Sequence, residues 1–252
     1  MNSRESSAPG SGSPDFYDQP GVLDTYRRHR SAGVFSPNEV MEEPAVRSEI
    51  GPVNKLRVLD LGCGDGAFGR RLLDGGARHY LGVDSSAAMV ALATQTLAGY
   101  PAQIRQERIE DVVTAPGSVD LIVSRLALHY IEPLQELLHR CRTWLAPEGR
   151  LLITVVHPVI TSHDARASTE ERRTNWVVDN YFDTTARPQN WMGAEVVFHH
   201  RTIEQYFSAL RTAGFSVTTL RECAPVRTRF DGNGAEYERR RRIPLFLLLA
   251  GY

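Results

Sequence analysis

Three glycines at alternate positions form the most informative motif of the chain. Gly62, Gly64 and Gly66 follow a short apolar run, residues 58–61, that contains the carboxylate Asp60. Glycine tolerates positive φ angles, and its missing Cβ lets a ligand lie directly against the backbone. We therefore predict a buried strand that enters a nucleotide-binding loop.

Acidic residues in and around the glycine loop indicate which kind of ligand the loop binds. Asp84 ends the apolar run 80–83, about 20 residues past Gly64, where a carboxylate would grip ribose hydroxyls. The loop also fits the loose dinucleotide pattern G-x-G-x-x-G/A. Asp60 and Asp65 would repel a diphosphate, and they suit a ligand with a positive end, such as S-adenosylmethionine (SAM) with its sulfonium and ammonium groups.

The acidic-x-Gly-x-Gly-x-Gly pattern at residues 60–66 resembles that of the class I SAM-dependent methyltransferases. The resemblance covers roughly residues 15–252 and is most specific between residues 56 and 160. It implies that SAM is the cofactor and that S-adenosylhomocysteine (SAH) is the product. Asp179 with Asp183, or Asp231, could suggest a metal site, but no supporting ligand spacing appears, so we expect no metal. The further segments that carry the resemblance are 83–86 with Met89, 109–111, 119–124, 126–130 and 147–153.

The resemblance also implies a set of cofactor-binding residues. Asp84 is expected on the ribose and Met89 against the adenine. Arg108 stands where the family usually has a carboxylate, so the adenine amino group is left to Glu110 or Asp111. The full set is Tyr26, Asp60, Gly62, Cys63, Gly64, Asp84, Ser85, Met89, Ile109, Glu110 and Ser124.

Strand and helix patterns alternate from residue 56 onward, which predicts parallel strands joined by right-handed crossovers. No helix is evident between the last two strands, so we expect them to pair antiparallel. The fold class is therefore α/β, a Rossmann-like seven-stranded, mostly parallel sheet with helices on both faces and an antiparallel last strand. The predicted strands are 56–61, 80–84, 103–108, 119–124, 150–156, 215–222 and 243–250, and the helices are 66–74, 86–98, 133–145 and 202–213.

The chain divides by composition into four parts. Residues 1–14 are rich in Ser, Gly and Pro, and we expect a disordered tail. Residues 15–50, with Tyr17, Leu23, Tyr26 and Phe35, form a lid and connector that closes over SAM in the family. Residues 51–252 form the methyltransferase domain, with a small cap inserted at about residues 159–201, where the periodicity fails.

The net charge and the number of cysteines restrict the kinds of partner and site that we expect for this protein. The 252 residues carry a net charge of −1, which disfavours a nucleic-acid partner without excluding one. Arginines at 239–242 could bind RNA, although a solvated turn between two strands is the simpler interpretation. Three cysteines fit neither a disulfide framework nor a zinc site, and no run is long enough to span a membrane. We expect a cytoplasmic monomer or homodimer that binds a small-molecule substrate and neither nucleic acid nor membrane.

Histidines near the carboxyl edge of the sheet are candidates for a general base. His157 ends strand five and is the first candidate for a catalytic or substrate-orienting role, although a structural role is the common alternative. His129 follows strand four and could instead hold the methionine part of SAM or cap a helix. Aromatic residues of the cap could enclose a planar acceptor or simply pack on the sheet. The residues that we expect to contact the substrate are Trp176, Tyr181, Trp191 and His200.

The cap segment looks like that of small-molecule methyltransferases of bacterial secondary metabolism, such as antibiotic biosynthesis. This resemblance implies methyl transfer to an oxygen or nitrogen, with carbon also open, of a small aromatic or heterocyclic compound. Three alternatives stay open: a non-methylating enzyme on the same fold, a protein or RNA methyltransferase, and an NAD-dependent dehydrogenase. The cap residues concerned are His157, Pro158, Trp176, Asp179, Tyr181, Arg187, Trp191, His200, Arg201 and Thr202.

Overall fold

A computed structural model describes residues 16–31, 36–162 and 176–252 of the chain. The predicted tail at residues 1–14, Phe35 of the predicted lid and residues 163–175 of the predicted cap lie outside this part. Within the described residues, no helix combines the length and the apolar character that a membrane crossing requires.

The described residues form nine strands and eight α-helices. The strands are β1 (Arg57–Leu61), β2 (His79–Asp84), β3 (Ala102–Gln106), β4 (Val119–Arg125), β5 (Leu145–Val156), β6 (Ala186–Trp191), β7 (Ala194–His199), β8 (Val217–Glu222) and β9 (Phe246–Gly251). The helices are α1 (Val22–Ser31), α2 (Glu43–Ile50), α3 (Ala67–Asp74), α4 (Ala87–Thr96), α5 (Leu134–Trp144), α6 (Pro158–Thr161), α7 (Ile203–Thr212) and α8 (Gly234–Arg240).

Seven of these strands form one sheet in the order β3-β2-β1-β4-β5-β9-β8. Strands β1 to β5 are parallel, and β9 runs antiparallel to both β5 and β8. The predicted fold class and the reversed final strand are confirmed. Because parallel strands end at the same edge, the loops after β1, β2 and β4 meet there.

Alternation along the central strands supplies the two faces of the core. Leu59 and Ile122 pack on one face, with helices α5 and α7, whereas Val58 and Leu121 pack on the other, with α2, α3 and α4. Successive side chains of a strand point to opposite faces, so a strand covered on both sides is apolar throughout. Strand β9 shows this most fully, because all six of its residues are buried.

The expectation of no helix between the last two strands is wrong, because α8 lies there. Asn233 accepts a hydrogen bond from the N–H of Glu236 at the start of α8. The carboxylate of Glu236 pairs with Arg239 and Arg240, three and four residues later. The interpretation of residues 239–242 as a turn therefore fails for these two arginines. Ion pairs hold this short helix, and apolar periodicity gives no sign of it.

Two segments outside the sheet come together above its carboxyl edge. A 3₁₀ turn, Phe16–Asp18, precedes α1, and β6 and β7 form an antiparallel hairpin within the predicted cap. Phe16 and Val22 pack against Val196 and Phe198 of β7 in a separate apolar cluster. The lid and the cap hairpin therefore support each other over the sheet.

Candidate functional site

A cavity of about 250 Å³ lies at the carboxyl edge of β1, β2 and β4. All but one of the residues predicted to bind the cofactor line it: Tyr26, Asp60, Gly62, Cys63, Gly64, Asp84, Ser85, Met89, Ile109 and Glu110. The exception is Ser124, whose buried hydroxyl donates to the carbonyl of Leu61 over 2.7 Å. That bond joins the ends of β4 and β1, so Ser124 holds the site together from outside the cavity.

The glycine loop adopts the backbone that its composition predicts. The φ angles of Gly62, Gly64 and Gly66 are 84°, 55° and 74°. A Cβ on Gly62 would lie 2.5 Å from the Cβ of Ala127, whereas a Cβ on Gly64 would meet open space. The loop therefore needs Gly62 for close packing, and it leaves Gly64 accessible to a ligand.

Asp84 ties the glycine loop to the end of β2. Its Oδ2 accepts a hydrogen bond from the N–H of Gly64 over 2.9 Å, and its Oδ1 accepts one from the N–H of Ser86 over 3.0 Å. Burial raises the pKa of Asp84, and the two backbone bonds oppose that rise. Each carboxylate oxygen keeps a lone pair, so Asp84 can still accept the hydroxyls of a ribose.

Asp60 presents a carboxylate oxygen in need of a donor. Its Oδ2 accepts the hydroxyl of Tyr80 over 2.7 Å, while Oδ1 is buried and has no hydrogen-bond partner among the described residues. Burial raises the pKa of Asp60 to about 6, against the lowering effects of Tyr80 and Arg125. Buried acceptors rarely stay unsatisfied. A cationic donor such as the ammonium of SAM fits this position.

Hydrogen bonds hold the N-terminal segment across the part of the cavity formed by the glycine loop and Asp84, which we call the nucleoside end. Asp18 accepts the hydroxyl of Ser86 over 2.7 Å and also two backbone N–H groups at the start of α4, over 3.1 and 2.9 Å. The hydroxyl of Tyr26 lies 3.3 Å from Oδ2 of Asp65. Burial, with Asp84 and Asp65 nearby, raises the pKa of Tyr17 to about 12. Sequence reasoning missed Asp18, whose partners are about 70 residues away along the chain.

The cavity wall and its surroundings also contain charged residues that sequence reasoning missed. Arg125 donates from Nε to Glu42 over 2.9 Å, and Thr154 donates to the same carboxylate over 2.8 Å. The guanidinium of Arg125 lies 4.3 Å from the ring centre of Phe68. Glu42 is fully buried, although it lies in the segment predicted to be a lid and connector. The cavity lining also includes Asn38, Glu39, Glu43, Phe68, Arg71 and Arg125.

His157 does not line the cavity. Its Nδ1 accepts the N–H of Val159 over 3.1 Å at the start of α6, and its Nε2 lies 3.0 Å from a carboxylate oxygen of Glu222. Burial lowers the pKa of His157, and Glu222 opposes this. Both ring nitrogens are thus engaged in holding β5 to α6 and β8. The catalytic role of His157 stays a prediction.

His129 is packed among aromatic rings behind the cavity wall. Its ring centre lies 4.2 Å from that of Tyr130 and 4.9 Å from that of Phe198. Burial, followed by the charge of Arg201, lowers the pKa of His129 to about 3. The ring is therefore neutral near pH 7. It does not line the cavity, and its catalytic role also stays a prediction.

The four predicted substrate contacts lie in the cap, away from the cavity lining. His200 is fully buried, with Nδ1 2.5 Å from the hydroxyl of Thr161 and Nε2 2.9 Å from the carbonyl of Tyr181. Trp191 is 47% exposed, and Trp176 is partly buried. The cap reaches the cavity through Val196 of β7 instead. Substrate contact by Trp176, Tyr181, Trp191 and His200 stays a prediction.

Comparisons with known proteins agree with this geometry. A family model described as a methyltransferase domain matches residues 58–149. An S-adenosylmethionine-dependent methyltransferase of Mesorhizobium loti, of known structure, is 31% identical, with a TM-score of 0.73 over 83% of this chain and 96% of that one. A proposed methyltransferase of the same kind from Listeria monocytogenes is 29% identical, with a TM-score of 0.75 over 88% and 97%.

A Haemophilus influenzae protein of unknown role is 27% identical over 216 residues, which cover 82% of this chain and 85% of that protein. Taken with the glycine loop, Asp84 and the sheet order, these findings place the chain in the SAM-dependent methyltransferase family. Among the described residues, no cluster of three or more His, Cys, Asp or Glu side chains could hold a metal ion.

Proposed function

We propose that this protein transfers the methyl group of SAM to an oxygen, nitrogen or carbon atom of a small aromatic or heterocyclic metabolite in the bacterial cytoplasm. The product of the cofactor is SAH, and natural-product biosynthesis is the proposed setting. The observation that carries this proposal is the cover over the cavity. The N-terminal segment and the cap hairpin meet above it, and Phe16 and Val196 both belong to the cavity wall and to the apolar contact between the two segments.

The cofactor is assigned to the nucleoside end of the cavity. Asp84 would hold the ribose hydroxyls, and Asp60 would accept the ammonium through Oδ1. Met89 and Ile109 offer apolar surface to the adenine, and Glu110 also lines the cavity. Arg108, which also lines the cavity, donates to Glu110 over 2.8 Å and so holds the carboxylate of Glu110 in place. When bound, SAM supplies an activated methyl group on a sulfonium.

The acceptor is assigned to the other end of the same cavity, beside Asn38, Glu39, Phe68 and Arg125. The protein has to hold the nucleophile in line with the sulfur–methyl bond at about 3 to 3.5 Å. A covered space of this kind excludes water and suits a small acceptor. No histidine belongs to the described lining, and carboxylates supply the basic groups near the acceptor.

The test is a product screen with the purified full chain. Pools of phenols, catechols, aromatic amines and heterocycles are incubated with SAM, and SAH release and product mass are followed by liquid chromatography with mass spectrometry. A small molecule that gains the mass of one methylene, in step with SAH release, supports the proposal. Methylation confined to added protein or RNA would overturn the small-molecule assignment. SAM binding with turnover of an acceptor that gains no methyl group would establish the non-methylating alternative.

A further inference from the structure

Tyr80 of β2 is fully buried and does not belong to the cavity lining. Its hydroxyl donates to Oδ2 of Asp60 over 2.7 Å. The other oxygen, Oδ1, is buried and lacks a hydrogen-bond partner among the described residues. The hydroxyl of Tyr80 therefore occupies one oxygen of the carboxylate, and the second oxygen is available to a ligand.

Two glycines make room for the ring of Tyr80. In the pairing of β1 with β2, Asp60 lies opposite Gly82, so the ring must pass Gly82 to reach the carboxylate. A Cβ on Gly82 would lie 2.8 Å from the ring, and a Cβ on Gly69 of α3 would lie 2.4 Å from it. Neither distance is tolerated by a real side chain. The ring occupies a slot between strand and helix that fixes its position.

We propose that Tyr80 is a positioning residue for the cofactor. Its hydroxyl orients the carboxylate of Asp60 so that Oδ1 accepts the amino group of the methionine part of SAM. This role rests on the cofactor placement given under Proposed function. It goes beyond that placement, because it assigns a function to a side chain that does not line the cavity.

The electrostatic surroundings of Asp60 give the proposal a pH signature. The charged or titratable groups that face Asp60 are Tyr80, Cys63, Asp84, Glu42 and Arg125. Burial raises the pKa of Asp60 to about 6, and the bond from Tyr80 lowers it. Only ionised Asp60 attracts an ammonium, so affinity is present above this pKa and is lost as the pH falls through it. Removing the phenol hydroxyl should raise the pKa and move this loss to higher pH.

The experiment is calorimetric titration of the full chain with SAH, which carries the same amino group, from about pH 5 to about pH 9. Tyr80→Phe keeps the ring and removes the hydroxyl. We expect it to weaken SAH binding at pH 7 by about tenfold, and to raise the pH at which affinity falls by about one unit. The matched control is Tyr100→Phe, whose hydroxyl donates to Asp74 over 2.8 Å outside the cavity. It should bind SAH like the wild type.

Unchanged affinity and an unchanged pH profile in a folded Tyr80→Phe variant would reduce Tyr80 to packing. If that variant does not fold, Asp60→Asn decides, because an amide cannot titrate and the pH dependence in this range should disappear. A wild-type profile in Asp60→Asn would overturn the proposal. Failure of the wild-type protein to bind SAH would overturn the cofactor placement itself, which separates the two failures.

Discussion

The nucleoside end of the cavity and the cover over it are built in different ways. The nucleoside end consists of strand-terminal loops, where Gly62, Gly64 and Asp84 lie within about 20 residues of one another and the N–H of Gly64 donates to the carboxylate of Asp84. The covering side consists of the N-terminal segment and the cap hairpin. There, Asp18 bonds to the start of α4, and Phe16 packs on Phe198.

This difference shows which parts of a site a local motif can specify. A loop between a strand and a helix has one favourable path, and its glycines and carboxylate reveal that path in the sequence. The cover depends on contacts between segments far apart in the chain, for which no short pattern exists. A single substitution at the nucleoside end should therefore cause a large loss of SAH affinity, whereas a single substitution in the cover should cause a small one.

The largest effect is expected from Gly62→Ala at the nucleoside end. The added Cβ would lie 2.5 Å from that of Ala127, at a φ of +84° that alanine rarely adopts. The loop must shift, and a displacement of this size should weaken SAH binding by about a hundredfold or more. Gly99→Ala is the control, because Gly99 has a φ of +85° and nothing within 4 Å of the added Cβ. Equal losses of SAH affinity in both variants, measured by calorimetry, would contradict a specific role for the loop.

A smaller loss at the same end is expected from Asp84→Ala. Removing a carboxylate that holds Gly64 and would hold the ribose should cost about 1.5 to 3 kcal/mol of SAH binding. Calorimetric titration measures this directly. Asp74→Ala serves as the control, because the carboxylate of Asp74 lies outside the cavity lining and accepts the hydroxyl of Tyr100. An unchanged SAH affinity in Asp84→Ala would remove Asp84 from the site.

On the covering side, Asp18→Ala should weaken SAH binding by about three- to tenfold, because three hydrogen bonds to the start of α4 are lost. Limited proteolysis within residues 16–31 should become faster in parallel. Asp24→Ala is the matched control, since Asp24 lies on the exposed face of α1 in a surface pair with Arg27. If both variants behave alike, the contact of Asp18 does not hold the cover in place.

The smallest effect on binding is expected from His157→Ala, which should leave SAH affinity unchanged. The free energy of unfolding should fall by about 1 kcal/mol, because the N–H of Val159 loses its acceptor at the start of α6. Chemical denaturation measures this, with the exposed His139→Ala as control. A turnover assay distinguishes a structural role of His157 from a catalytic one. His157→Asn can still cap α6, so normal turnover in this variant indicates a structural role, and lost turnover supports a catalytic base.

The sequence predicted the sheet well because its central strands are covered on both faces and are largely apolar. It failed for α8, since ion pairs from Glu236 replace apolar periodicity there. It also gave no sign of the hairpin of β6 and β7. The strand β6 is largely exposed, and the burial of Val196 and Phe198 in β7 depends on the N-terminal segment.

Local composition alone determined the glycine loop, the carboxylates Asp60 and Asp84 and the class of cofactor, because backbone conformation and charge act over a few residues. Only the tertiary structure decided that no histidine among the described residues lines the cavity, and that Oδ1 of Asp60 has no hydrogen-bond partner among them. It also decided the hydrogen bonds that Asp18, Tyr80 and Arg125 make around the cavity. The physical reason is burial. A side chain gains an altered pKa or an obligatory partner only after distant segments have excluded water from it.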